Sequence, residues 1–183
     1  SGSVSIQENS DRIVPPADYV LGSGDKVSVT IWGVSQFSGE FLLDEFGNIT
    51  PNLVGRINLK GKTFSQAQKI IQRRFSEVYR FNSSQVAINL SYSKVISVNV
   101  VGEVVAPGTY SIPSINSAFN ILTLSKGLSE NGSVRNIAIV RNGKIINRLD
   151  VLEFMINPNK NSFIHLKDGD FIVVPTLENT VLI

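Results

Sequence analysis

The chain has no cysteine, and only one histidine, one tryptophan and one methionine, in 183 residues. The missing cysteine removes disulfides, thiol nucleophiles and thiolate metal sites together. The single histidine, His165, stands among Phe163, Ile164 and Leu166. A general base or a zinc site recruits partners, and this setting reads as a strand side chain. No apolar run approaches the roughly 20 residues that a bilayer-spanning helix needs. Charge of one sign is also scarce. Seventeen Lys and Arg against fifteen Asp and Glu give a net charge of +2, which argues against a nucleic-acid partner. The nearest basic cluster, Lys69, Arg73, Arg74 and Arg80, reads as the solvated face of a helix. No Gly-x-Ser-x-Gly elbow is present. Gly22-x-Gly24 precedes a strand instead of opening a helix, which is poor geometry for a phosphate cradle.

What is present is glycine and proline, 14 and 7 residues, set as punctuation between short apolar segments. The hydrophobic share of 42% is that of an ordinary globular chain, so a core can form. Residues 1–14 read as a tag (Ser1-Gly2-Ser3) and flexible arm, and Pro15-Pro16 stiffens the entry to a first module at 15–93. Lys26 to Trp32 alternates, with Val27, Val29 and Ile31 on one face, as a half-buried strand does. Glu40 to Leu43 and Asn48 to Thr50 flank Asp44-Glu-Phe-Gly47, which predicts a hairpin. Lys62 to Tyr79 is the clearest helix: Thr63 and Gln66 form a capping box. Phe64, Ala67, Ile70, Ile71, Phe75 and Val78 recur at helical spacing. Val86 to Ser93 alternates again, with Val86, Ile88, Leu90 and Tyr92 in phase.

A second module spans 94–178. Val95 to Val101 and Thr109 to Ile112 read as strands around Gly102-Glu-Val-Val-Ala-Pro-Gly108. A helix follows at about Ser117 to Lys126, stopped by Gly127 with Leu128 as its hydrophobic contact. Asn142-Gly143 is the strongest hairpin signal in the chain, between Ile137–Arg141 and Lys144–Leu149. A short helix at 150–156 and a last strand, Phe171 to Pro175, complete it. The fold class is therefore α+β, and a small sheet wrapped around one helix, as in β-grasp domains, explains the second module economically. Leu21-x-x-Gly-Asp-x-Val-x-Val29 is echoed by Leu166-x-x-Gly-Asp-x-Ile-x-Val174. Both read as a Gly-Asp turn leading into a buried strand, with glycine supplying the unusual backbone angle and aspartate tying the turn to nearby amides. Residues 179–183 read as the start of a truncated further segment.

The ordered series of these phrases resembles the outer-membrane polysaccharide export family. Tyr19-Val-Leu-Gly-Ser-Gly-Asp25, Val29-Thr-Ile-Trp-Gly33, Asp44-Glu-Phe-Gly-Asn-Ile49, Gly55-Arg-Ile57 and the helix from Thr63 resemble its polysaccharide biosynthesis/export domain. Val101-Gly-Glu-Val-Val-Ala-Pro-Gly-Thr-Tyr110, Leu122-x-x-Ser-Lys-Gly-Leu128 and Asp168-Gly-Asp-Phe-Ile-Val-Val-Pro175 resemble its SLBB β-grasp domain. The resemblance implies the periplasmic part of an outer-membrane translocon, a homo-oligomeric ring that conducts capsular polysaccharide or exopolysaccharide to the cell surface. It implies an inner-membrane copolymerase linked to a tyrosine kinase as partner, and no enzyme activity, cofactor or metal. A monomeric β-grasp module that binds carbohydrate or a small ligand is the alternative, and a polysaccharide-processing enzyme a third. For that enzyme, Asp25, Asp44, Glu45, Asp168 and Asp170 are the candidate carboxylates, although the aspartates sit in glycine turns where their role is structural. Trp32, Phe37, Tyr92 and Tyr110 are candidate sugar-stacking rings, against the simpler reading as packing. Arg56 and Glu103 lie in the two best-matched turns. Trp32, Arg56, Glu103 and Tyr110 are thus the residues singled out for contact with polysaccharide or a neighbouring subunit.

Overall fold

The computed structural model describes residues 15–157 and 164–177. They divide into two compact units, the first ending at Lys94 and the second beginning at Val95. The arm at 1–14 and the segment at 179–183 lie outside the described residues.

In the first unit, β1 (Lys26–Ile31) lies between β2 (Phe37–Leu42) and β5 (Val86–Tyr92), antiparallel to both. Its alternation buries Val27, Val29 and Ile31. A two-stranded ribbon, β3 (Asn48–Ile49) with β4 (Ile57–Asn58), stands as a separate sheet. The hairpin expected around 44–47 is therefore corrected. The turn exists, with the Gly47 amide donating to the Asp44 carbonyl at 2.9 Å. The strands on either side pair elsewhere, β2 with β1 and β3 with β4. Asp44 explains this: its Oδ1 accepts the Phe46 and Asn48 amides, so the side chain closes the turn without a ladder.

Helix α1 (Phe64–Ser76) opens on the expected capping box between Thr63 and Gln66. It is shorter at both ends than the sequence pattern suggests. Val78 falls beyond its last turn and is exposed, as is Tyr92 at the end of β5. Phe64, Ala67, Ile71 and Phe75 face inward, each large side chain worth roughly 1.5–3 kcal/mol of burial. Phe75 meets Phe37 edge-on at 5.2 Å and lies 6.3 Å from Phe41. Gln68 donates its Nε2 to the Ile88 carbonyl at 2.9 Å and so ties α1 to β5.

The second unit is a five-stranded mixed sheet in the order β7 (Gly108–Pro113), β6 (Val95–Gly102), β10 (Phe171–Val174), β8 (Ile137–Arg141), β9 (Lys144–Leu149). The first and last strands, β6 and β10, are parallel neighbours in the middle, and the two hairpins flank them. That is the β-grasp order. One face buries Ile96, Val98, Val100, Ile139 and Ile172 against Ile121 and Leu122 of α2 (Ala118–Leu124). Ser117 caps α2 through the Asn120 amide. Its stop uses two left-handed residues, Lys126 as well as Gly127. Asn142 and Gly143 both have positive φ, the requirement of a type I′ hairpin turn. A short helix, α3 (Val151–Ile156), is capped by Asp150 and stacks Phe154 on Phe119 at 4.0 Å. Gly102 has φ 89°, and a Cβ there would collide with the Val174 carbonyl oxygen.

Candidate functional site

Three polar constructions stand out, and each begins with an aspartate in a glycine turn. The first is Asp25, fully buried. Its Oδ2 accepts the Gly22 amide and the Tyr19 hydroxyl, both at 2.9 Å, and its Oδ1 accepts the Lys94 amide at 2.9 Å. Burial pushes this carboxyl above its ordinary value. The Lys94 and Gly22 amides, the Tyr19 hydroxyl and lastly the Lys94 charge pull the other way.

The second is Asp170, also fully buried. The Arg141 guanidinium reaches it as a fork, Nε to Oδ1 and Nη2 to Oδ2, both 2.8 Å. The Lys167 amide also donates to Oδ2, at 2.7 Å. The hydrogen bonds of the fork, with the Asp170 charge, raise the Arg141 pKa above its usual value against the opposing effect of burial. Nη2 of Arg141 also donates to the His165 carbonyl at 3.1 Å, so His165 takes part through its backbone. Asp168 is exposed and its Oδ1 accepts the Ser97 amide at 2.7 Å. Asp168 and Asp170 are thus engaged separately, one by the Ser97 amide and the other by the Arg141 guanidinium and the Lys167 amide.

The third is the exposed face of the β3–β4 ribbon. Asn48 and Asn58 are cross-strand partners. Asn58 Nδ2 donates to Asn48 Oδ1 at 2.7 Å and to the Phe46 carbonyl at 3.2 Å. Asn48 Nδ2 donates in turn to Asp44 Oδ2 at 3.2 Å. The Asn48 amide does most to hold the Asp44 carboxyl below its usual value. Desolvation opposes it, and the Asn48 side chain, the Phe46 amide and the charge of Arg56 add to the lowering. Arg74 buttresses the ribbon from α1, donating to the Val54 and Arg56 carbonyls.

Of the residues singled out from sequence, Trp32 is 46% exposed at the end of β1. Its amide is fixed by the Gln85 carbonyl at 3.1 Å. Arg56 is exposed beside Asp44. Glu103 is half-buried, and its Oε2 accepts the Ser129 hydroxyl at 2.8 Å. Tyr110 is buried in the second unit's core, with its hydroxyl donating to the Ala106 carbonyl. Phe37 belongs to the ring cluster over α1, 5.1 Å from Tyr79. Tyr92 and Glu45 are exposed. Sequence reasoning missed Phe46, Asn48 and Asn58 as a group. Two-residue strands are too short to show a period, and the ribbon joins residues ten apart. The only available signal was the Asp44-x-x-Gly-Asn48 turn itself.

Residues 14–91 match the family model of polysaccharide biosynthesis/export proteins. That stretch of the chain is thus similar to a polysaccharide export domain. The match takes in the Gly22–Asp25 turn, the ribbon and α1, so all of these are features of the export domain. The chain is also similar to two curated polysialic acid transport proteins KpsD of Escherichia coli, each 30% identical over 164 residues. Those alignments cover 89% of this chain but 29% of each relative. The chain therefore spans less than a third of the length of those transport proteins.

Proposed function

We propose that this chain is the periplasmic part of an outer-membrane translocon for capsular polysaccharide or exopolysaccharide. Subunits pack side by side into a ring around a path for a hydrated polymer. The observation that carries this reading is the export-domain match over the first unit, continued into the second by the similarity to polysialic acid transport proteins. The second unit's strand order supports its reading as an SLBB β-grasp domain. Its role is assembly and contact, and no bond is made or broken on it. Aspartates that a hydrolase would need as an acid pair are instead engaged by turn amides and a guanidinium. Sheet edges offer natural subunit contacts. The outer membrane anchors the ring, and an inner-membrane copolymerase with a tyrosine kinase delivers the polymer.

The test is made on the full-length gene product in its own cell. Deleting the gene is expected to remove surface polysaccharide and leave the polymer in the periplasm. The extracted protein is expected to sediment as a closed oligomer. Normal surface polysaccharide after deletion, together with a monomeric protein, would overturn the reading.

A further inference from the structure

We propose that the exposed face of the β3–β4 ribbon, built from Phe46, Asn48, Asn58, Asp44 and Arg56, is a subsite for one pyranose unit of a polysaccharide. The inference rests on the export reading and adds a place of contact to it.

The first observation is the ring. Phe46 is 62% exposed, at the third position of a turn that leaves it little freedom. The Asp44 carboxylate holds the Phe46 amide at 2.9 Å, the Gly47 amide is tied to the Asp44 carbonyl, and the Leu59 amide to the Gly47 carbonyl. Gly47 lies directly against the backbone of Lys60. The backbone that carries the ring is thus set before a ligand arrives, and a phenyl side chain has only two torsions left to order, which is the advantage of aromatic anchors.

The second observation is the orientation of the amides beside it. Asn58 spends both Nδ2 hydrogens on the Phe46 carbonyl and Asn48 Oδ1. Its own Oδ1 takes part in neither bond and remains an acceptor. Asn48 spends one Nδ2 hydrogen on Asp44, which leaves the other as a donor. Among the described residues no side chain or backbone group takes either position. Asp44 stays ionised and keeps acceptor capacity beyond its turn bonds. The ribbon thus brings a donor, a neutral acceptor and a carboxylate, tied to one another by hydrogen bonds, to the turn that carries an exposed phenyl ring.

That set matches a sugar. Vicinal hydroxyls give and accept hydrogen bonds at once, and the C–H face of a pyranose packs on an aromatic plane. Arg56, exposed and with its carbonyl pinned by Arg74, adds a guanidinium that suits the carboxylate of an acidic sugar. Closing the turn requires Asp44. It requires neither an exposed phenyl ring nor an Asn58 oxygen left over as an acceptor.

The experiment is a titration of the isotope-labelled 183-residue chain, followed by amide NMR. The probes are an oligomer of polysialic acid and neutral maltohexaose. Saturable shifts at residues 44–60 with either oligosaccharide are expected. Phe46→Ala should weaken binding at least about tenfold, equivalent to about 1.4 kcal/mol, and Phe46→Tyr should restore it. Arg56→Ala should weaken the acidic oligomer selectively. Phe46 is 62% exposed and lies outside the buried core, so an unchanged spectrum elsewhere separates lost binding from lost folding. Absence of ribbon shifts with both probes up to about 10 mM, a concentration that already admits very weak binding, overturns the subsite. So does binding that Phe46→Ala leaves intact. If deletion of the gene still abolishes surface polysaccharide, only the subsite has failed; if it does not, the export reading has failed.

Discussion

The turn at Leu21–Val29 and the turn at Leu166–Val174 are built alike and charged differently. In both, a glycine with positive φ, 90° at Gly24 and 82° at Gly169, precedes a fully buried aspartate. In both, the aspartate amide bonds the carbonyl three residues back, and Oδ2 accepts the amide of that same residue, Gly22 or Lys167. The aspartate carbonyl then accepts an amide from another segment, Leu43 in the first unit and Asn99 in the second. The difference lies in what takes the remaining lone pairs. Asp25 is met by neutral donors, the Tyr19 hydroxyl and the Lys94 amide. Asp170 is met by the fork of Arg141. A buried carboxylate surrounded by dipoles stays expensive to ionise. One facing a guanidinium shares the desolvation with a counter-charge. The frame is reusable because it needs only glycine and aspartate; the counter-group is supplied by whatever strand lies nearby.

Removing the two carboxylates gives the largest expected effects. Asp25→Ala takes the shared acceptor away from three donors, one of them the buried Tyr19 hydroxyl, and at about 1–2 kcal/mol each should cost the first unit about 3–5 kcal/mol. Trp32 is the only tryptophan and sits at the end of β1, so its fluorescence reports that unit's unfolding by denaturant. Asp170→Ala should cost the second unit less, about 2–3 kcal/mol. Arg141 keeps a quarter of its side-chain surface in water and can turn outward. Adding Arg141→Leu to Asp170→Ala should regain part of the loss, because no unmatched charge then remains. An Asp170→Ala loss larger than that of Asp25→Ala, measured by amide exchange in β10, would contradict the comparison.

How far this was readable from sequence follows from the same two turns. The nine-residue echo exposed the frame, since Leu, Gly, Asp and the alternating apolar residues are all local. It could not expose the counter-groups. Lys94 lies 69 residues from Asp25 and Arg141 lies 29 from Asp170, and only the closed sheets bring them together. Strands and helices with a full period, such as Lys26–Ile31, Phe64–Ser76 and the Asn142-Gly143 hairpin, were legible within a few residues of their ends. The β3–β4 ribbon was not, because its pairing depends on Asp44 closing a turn and on Arg74 bracing it from α1. Of the candidate site, Arg56 was visible as a polar residue in a matched turn. Phe46 and the two asparagines became a group only when the ribbon folded.

A middle-sized effect separates the two kinds of aspartate in the first unit by pH. The Asp25 carboxyl is raised above the unfolded value of 3.8. The folded state therefore binds this proton more tightly than the unfolded state. The proton-linked part of this group's stability, separate from the hydrogen bonds lost in Asp25→Ala, increases as pH falls through the raised value, is complete below 3.8, and is absent at neutral pH. Asp44 is lowered, so its contribution has the opposite sense, present above 3.8 and lost as pH falls through its folded value. Asp25→Asn removes only the first of these. The stability advantage of the native chain over Asp25→Asn should widen as pH is lowered from 7 toward 4. A gap that is flat or narrows in denaturant titrations across that range would show that the buried carboxylate is not held against its own desolvation.

The smallest effect tests whether the neutral donors around Asp25 are a true substitute for a cation. Tyr19→Phe removes one hydroxyl and leaves the ring, which is buried, in place. A net hydrogen bond to a charged acceptor is worth about 1.5–3 kcal/mol, and a neutral one about 0.5–1.5. Because burial raises the Asp25 carboxyl, the loss should lie near the neutral figure below the raised folded value and move toward the charged figure above it. The Gly22 and Lys94 amides remain on the carboxylate, so the turn should persist and only its depth in the stability ledger should change. With one lowering influence gone, the Asp25 carboxyl should move still higher, and the acid-side gain in stability should begin at a higher pH than in the native chain. Trp32 fluorescence unfolding of Tyr19→Phe at two pH values checks both points. A pH-independent loss would mean that the hydroxyl serves the turn by packing, and that the three donors do not share the charge.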